Sequence, residues 1–191
     1  MNGENEWLLA RQAAGGDEAA FAVLIERYKV PVHSFVFRYV RDEETARDIT
    51  QEVFVKSWFG LKTVVERARF STWLFQIALN LCRDYAKSKS ARNAHVTLSF
   101  AGQDSNAADM DVPSTELPPD KQAVTNEQLA RLNQAIDALP CELRDAFLLG
   151  AVERVPYKDA AKILKISSKA VETRVYRARK ALAASLGVRE D

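Results

Sequence analysis

The chain has 191 residues, with 27 Lys and Arg against 26 Asp and Glu, 47% hydrophobic residues and 28% charged ones. That composition is ordinary for a globular protein, leaves room for one domain or two small ones, and excludes a fibrous or wholly disordered chain. No run of about 18 apolar residues occurs and the segment Met1 to Glu6 is polar and acidic, so neither membrane insertion nor a signal peptide is expected, and the expected location is the cytoplasm. Cys82 and Cys141 fall in separate helical stretches and are expected to stay reduced there.

Residues 17–41 carry Phe21, Leu24, Ile25, Tyr28, Val32, Phe35 and Val36 at helical spacing. Pro31 is expected to kink this helix or divide it. Asp42 can cap the next helix, whose face holds Ala46, Ile49, Val53, Phe54 and Ser57, with Glu43 and Glu44 at the positive end of its dipole. After a basic connection, Lys62 to Arg69, Ser71 is expected to cap a third long helix striped with Leu74, Ile77, Ala78, Leu81 and Tyr85. Ser90 to Asp120 then loses the helical period and carries Gly102, Pro113, Pro118 and Pro119, the composition of a flexible linker. As a coil it would average about 30 Å end to end. Further helices are expected over 121–139, 141–152, 157–164 and 168–186, and no stretch alternates as a strand does. The expected fold is all-α: two small helical domains, 1–90 and 121–191, joined by a flexible linker over 91–120.

The near-zero net charge conceals a strong segregation. Met1 to Lys87 holds 12 bases and 12 acids, and Phe100 to Asp120 holds five acids (Asp104, Asp109, Asp111, Glu116 and Asp120) and no base. From Pro140 onward there are 11 bases against 7 acids, and Ser168 to Leu186 carries Lys169, Arg174, Arg177, Arg179 and Lys180 against Glu172 alone. The segment PYKDAAKILKISSKAVETRVYRARKAL, residues 156–182, has the layout of a helix-turn-helix. Ala160 and Ala161 allow close approach, Ile166 plugs the corner, and Ser167 or Ser168 caps the second helix. Val171, Val175, Ala178 and Leu182 then face the core. The opposite side suits duplex DNA: Glu172, Thr173, Tyr176 and Arg177 for base edges, Lys169, Arg174, Arg179 and Lys180 for phosphates. Lys165 stands where such turns often carry glycine because the backbone needs a positive φ.

In RFSTWLFQIALNLCRDYAKSK, residues 69–89, the aromatics Phe70, Trp73 and Phe75 lie beside Arg67, Arg69, Arg83, Lys87 and Lys89, a mixture suited to unstacked single-stranded bases. This block, ARDITQEVFVKSW at 46–58, LPCELRDAFLLG at 139–150 and the helix-turn-helix ending in RARKAL occur in fixed order around the linker. Together they resemble an extracytoplasmic-function (ECF) sigma factor, the minimal class of the sigma-70 family. The resemblance implies a region 2 helical bundle in the first domain and a region 4 helix-turn-helix in the second.

It implies that Asp48, Gln51, Glu52, Phe54, Val55 and Lys56 dock on core RNA polymerase. Glu66, Arg67, Arg69, Phe70, Trp73, Arg83 and Lys87 would recognise and melt the −10 element, single-stranded and duplex. Lys169, Glu172, Thr173, Arg174, Tyr176, Arg177 and Lys180 would read the −35 element, with Glu172 able to accept from a cytosine amino group. It further implies control by an anti-sigma factor, and it gives the acidic linker a possible place among basic polymerase walls beside its reading as a plain tether. The rival is a stand-alone helix-turn-helix regulator, which would bind a palindromic duplex without polymerase. An enzyme is not expected. His33 and His95 stand near no cysteine and in no H-E-x-x-H arrangement, and no phosphate-cradling glycine motif or nucleophile with an evident base occurs, so no metal or cofactor is implied.

Overall fold

The computed structural model describes residues 3–63, 69–96 and 119–187. Four helices form the first half: α1 (Gly3–Ala14), α2 (Glu18–Val40), α3 (Glu43–Gly60) and α4 (Phe70–Val96). The second half comprises α5 (Pro119–Asp137), α6 (Cys141–Phe147) continuing into a π-turn (Leu148–Val152), α7 (Tyr157–Leu164) and α8 (Ser168–Leu186). All the regular structure among the described residues is helical, and no described helix is long and apolar enough to cross a membrane.

The expected stripes on α2 and α3 become the core of the first half. Val32, Phe35 and Val36 of α2 are fully enclosed, against Ala46 and Val53 of α3 and Leu74, Ala78 and Leu79 of α4. Asp42 caps α3, its carboxylate accepting from the Thr45 N–H at 2.8 Å. Helix α2, however, continues through Pro31. A proline inside a helix removes a single backbone bond, and the apolar residues packed on both sides of this one hold the turn.

Helix α1 was not expected from the sequence. Gly15 and Gly16, the latter at φ 100°, end it, and Trp7, Ala10 and Ala13 bury its inner face. Trp7 meets Phe70 edge-on, ring centroids 5.7 Å apart, and buried Glu6 pairs with Arg27 at 2.9 Å. Helix α4 starts one residue before Ser71, which therefore lies inside the first turn and does not cap it. It also runs on to Val96, six residues past the expected domain end, and α5 begins at Pro119, a residue suited to a first helical turn. Most of the expected linker, including Asp104, Asp109, Asp111 and Glu116, lies outside the described residues, whereas Asp120 belongs to α5.

In the second half the stretch expected as one helix over 141–152 changes pitch at Leu148. Gly150 lies inside this π-turn, where an added Cβ would come within 3.0 Å of the Tyr157 ring and 3.2 Å of Val175. The wider turn and the missing side chain let α7 and α8 close on the end of α6.

The two halves touch. Tyr39 at the end of α2 donates its hydroxyl to Asp145 Oδ1 at 2.9 Å, while Arg83 on α4 donates to Asp145 Oδ2 from Nε at 3.0 Å and Nη2 at 2.6 Å. The Arg144 guanidinium lies 4.5 Å over the Tyr39 ring. Burial and the neighbouring carboxylate both push the Tyr39 hydroxyl above its ordinary pKa. For Arg83 burial pulls the other way, and its bonds to Asp145 outweigh that, leaving the guanidinium more firmly protonated.

Cys82 and Cys141 are both free thiols, as expected. Cys82 is buried, and burial together with the Asp145 charge pushes its pKa up to about 12; Cys141 is exposed. At mildly alkaline pH a thiol-reactive probe should therefore modify one cysteine per folded chain and two in denaturant. Cys141→Ser should abolish the native-state reaction, as counted by mass spectrometry.

Candidate nucleic-acid interface

Helices α7 and α8 pack as a helix-turn-helix. Ala160, Ala161, Ile163 and Leu164 of α7 and Val171, Val175, Ala178 and Leu182 of α8 are all buried, as the spacing predicts. The turn uses Lys165 at φ 56° in the left-handed region, so the position that often carries glycine keeps its backbone shape with a lysine in place. Ile166 is half-buried against the core beneath the turn. Ser167 caps α8, accepting from the Ala170 N–H at 3.1 Å, and Gly187 closes it.

The outer side of α8 presents the expected row, Lys169, Glu172, Thr173, Tyr176, Arg177, Arg179 and Lys180, all exposed, with Tyr176 at 60%. Lys169 pairs with Glu172 at 3.0 Å, and Thr173 gives its hydroxyl proton to the Lys169 carbonyl at 2.9 Å. Thr173 thus offers the outside a methyl group and an acceptor. No carboxylate among the described residues lies within 4 Å of Arg177, Arg179 or Lys180. Arg174 departs from the expectation. It sits three residues after buried Val171, leans towards α6 and pairs with Glu142 at 2.7 Å, so in this structure it braces the recognition helix.

The first half carries two further surfaces. Glu66 and Arg67 lie outside the described residues. Phe70 is only 1% exposed, surrounded by Trp7, Tyr28 and Trp73 at ring distances of 5.7 Å, and so serves the core without offering a face to a base. Trp73 beside it is half-buried. Its indole fits over the end of α3 only because position 60 is glycine: a Cβ there would come within 2.9 Å of the ring. Lys87 is exposed and 3.9 Å from Asp84. Arg69 reaches Asp159 of α7 at 3.9 Å, and Arg83 is held by Asp145. These two arginines therefore face the other half of the chain.

On the outer side of α2 and α3 an apolar groove of about 390 Å³ is lined by Phe21, Ile25, Phe54, Val55, Trp58 and Phe59, with Gln51 at its edge. Of the residues expected to dock on polymerase, Gln51, Phe54 and Val55 belong to this groove. Asp48, Glu52 and Lys56 stand exposed, the last two paired at 3.0 Å. Phe59, 71% exposed, was not anticipated. The signal was present: Val55 and Phe59 recur four residues apart, off the stripe that the core uses.

A helix-turn-helix whose recognition helix shows Arg177, Arg179 and Lys180 without carboxylate partners among the described residues, coupled to a second helical bundle bearing an apolar groove, defines a two-module DNA-binding protein. The comparisons define it further. Residues 24–92 match the model of Sigma-70 region 2, and residues 129–182 that of Sigma-70, region 4. The chain is 31% identical to RNA polymerase sigma factor CnrH of Cupriavidus metallidurans, covering 97% of each chain. It is 27% identical to ECF RNA polymerase sigma factor SigW of Bacillus subtilis, covering 90% of this chain and 91% of that one. Among solved structures, CnrH in complex with the cytosolic domain of CnrY superimposes with a TM-score of 0.71 at 27% identity, covering 97% of this chain and 99% of that one. The sigma factor RpoE in complex with the anti-sigma factor NepR from Bartonella quintana has the same fold, with a TM-score of 0.69 at 21% identity over 89% and 98% of the two chains. The chain belongs to the extracytoplasmic-function class of the sigma-70 family. It is thus a transcription initiation factor and not an enzyme.

Two substitutions test the recognition turn. Ser167→Ala should lower the stability of the second half by about 1 kcal/mol through loss of the cap. Lys165→Gly should raise it by about 1 kcal/mol by removing the left-handed penalty. Urea unfolding followed by circular dichroism reads both.

Proposed function

We propose that the two halves divide a promoter between them, the first (1–90) serving core polymerase and the −10 element and the second (121–191) the −35 element. The recognition helix α8 carries this reading: Arg177, Arg179 and Lys180 project from a helix-turn-helix without carboxylate partners among the described residues, as a phosphate- and base-contacting surface requires. Tyr176, Arg177, Thr173 and Glu172 read base edges. Lys169, Arg179 and Lys180 contact the backbone. The apolar groove on α2 and α3, with Asp48, Glu52 and Lys56 beside it, takes the polymerase. Trp73, with Arg69, Arg83 and Lys87 and the segment that holds Glu66 and Arg67, handles the opened −10 strand, where stacking offsets the cost of extruding a base. The factor works in the cytoplasm, with the polymerase. An anti-sigma factor restrains it; the complexes of CnrH with CnrY and of RpoE with NepR support that part of the reading.

Run-off transcription with purified core polymerase on a promoter library tests the whole. Initiation with enriched −35 and −10 motifs is expected, and none on any template would refute it. Arg177→Ala should weaken holoenzyme binding at the −35 duplex by about 1–3 kcal/mol, that is about five- to 150-fold. Trp73→Ala should leave that step unchanged and slow strand opening, read by permanganate footprinting. Equal effects of the two variants on both steps would refute the division.

A further inference from the structure

Helix α1 lies before the stretch that matches Sigma-70 region 2, which begins at residue 24. It is nonetheless built into the first half: Trp7, Ala10 and Ala13 are buried, and buried Glu6 pairs with Arg27 of α2 at 2.9 Å. The ring that Trp7 covers belongs to Phe70, the first residue of α4. A side chain on a helix leans back over the turn before it, and at the first residue that turn is missing. Neighbours from other elements must then hold it.

Phe70 has such neighbours. Trp7 of α1 meets it edge-on at 89°, while Tyr28 of α2 and Trp73, one turn further along α4, lie tilted at 52° and 54°, each with ring centroids 5.7 Å away. Aromatic pairs favour edge-on and offset geometries, so each ring limits where the next can sit. Trp73 has two supports of this kind. Phe70 is one, and the other is the bare backbone at Gly60, where a Cβ would come within 2.9 Å of the indole. A side chain that must meet a ligand group at a fixed place needs its rotamer locked by packing, to within about 0.5 Å.

We infer that Trp7 is a positioning residue for promoter opening: acting through Phe70, it sets the Trp73 indole where it meets an extruded base. Helix α1 then belongs to the opening apparatus, although Trp7, 8% exposed, never touches DNA. This inference rests on the assignment of Trp73 to the opened −10 strand. A tryptophan serving the core alone would lower stability and disturb every step alike, whereas positioning acts on one step and only through Trp73.

The test uses the full chain as holoenzyme on a promoter recovered from the library, with a fluorescent base analogue in the −10 element to follow opening. Trp7→Leu keeps much of the apolar volume and removes the aromatic edge. It should slow opening about tenfold, with binding to core polymerase and to the −35 duplex as in the parent. Trp7→Phe keeps a ring edge and should open the promoter within about twofold of the parent rate. In a chain that already carries Trp73→Ala, Trp7→Leu should slow opening no further, as expected of a residue that acts through Trp73. Val36→Ala is the control for lost stability. It leaves a cavity in the same core, away from these rings along α2, and opening should proceed at the parent rate.

Opening at the parent rate by Trp7→Leu, a loss that multiplies with that of Trp73→Ala, weakened binding to core polymerase or the −35 duplex, no recovery with Trp7→Phe, or equal slowing by Val36→Ala would overturn the positioning. Trp73→Ala alone checks the underlying assignment. Slowed opening by Trp73→Ala with none by Trp7→Leu overturns the positioning alone. Opening at the parent rate by Trp73→Ala overturns the assignment and the positioning with it.

Discussion

A carboxylate shut away from water is the constraint around which the two halves arrange themselves. Asp145 sits in a helix of the second half, yet its hydrogen bonds come from Tyr39 and Arg83 of the first. An isolated buried charge is strongly disfavoured, and removing one partner of a buried pair typically costs about 3–5 kcal/mol. Asp145 therefore has two acceptable environments: solvated with the halves apart, or fully satisfied with them together. Anything intermediate leaves it dry and unpaired, which makes closure sharp. Arg144, next to it, covers the Tyr39 ring and holds the phenol in line.

The same constraint orients the charges of the second half. Four acids of the second half turn to the seam, while on α8 Lys169 pairs with Glu172 and Arg174 with Glu142, and Arg177, Arg179 and Lys180 stand exposed on the far side. The near balance of 27 bases and 26 acids thus sums an even first part, an acidic connecting segment and a basic second part.

The periodic features were legible in the sequence. The stripes of α3 and α8, the caps at Asp42 and Ser167 and the left-handed Lys165 all follow from spacing and local backbone chemistry, and the structure repeats them. Helix α1 escaped notice because two of the residues it buries are alanines, which contribute little to a hydrophobic period, and Pro31 does not divide α2 because one lost backbone bond is minor beside a packed face. Phe70 and Arg174 show why site residues are harder. An aromatic beside cations reads alike whether it stacks on a base or on Trp7, and an arginine one position off the buried stripe points to whichever carboxylate the fold brings near. The seam pairs were illegible for a plainer reason: Arg83 and Asp145 are 62 positions apart, and Arg38 and Glu153 are 115 apart, so no local pattern links them.

Helix α2 contributes to both the apolar groove and the seam. Phe21 and Ile25 line the groove near its start, and Arg38 and Tyr39 enter the seam near its end, with Arg41 just beyond it. The seventeen helical steps from Phe21 to Arg38 span about 26 Å at the standard rise. Because the helix continues through Pro31 without a break, α2 joins these two stations as one element. A tilt imposed by whatever grips one end is delivered to the other as leverage on the carboxylates of the second half.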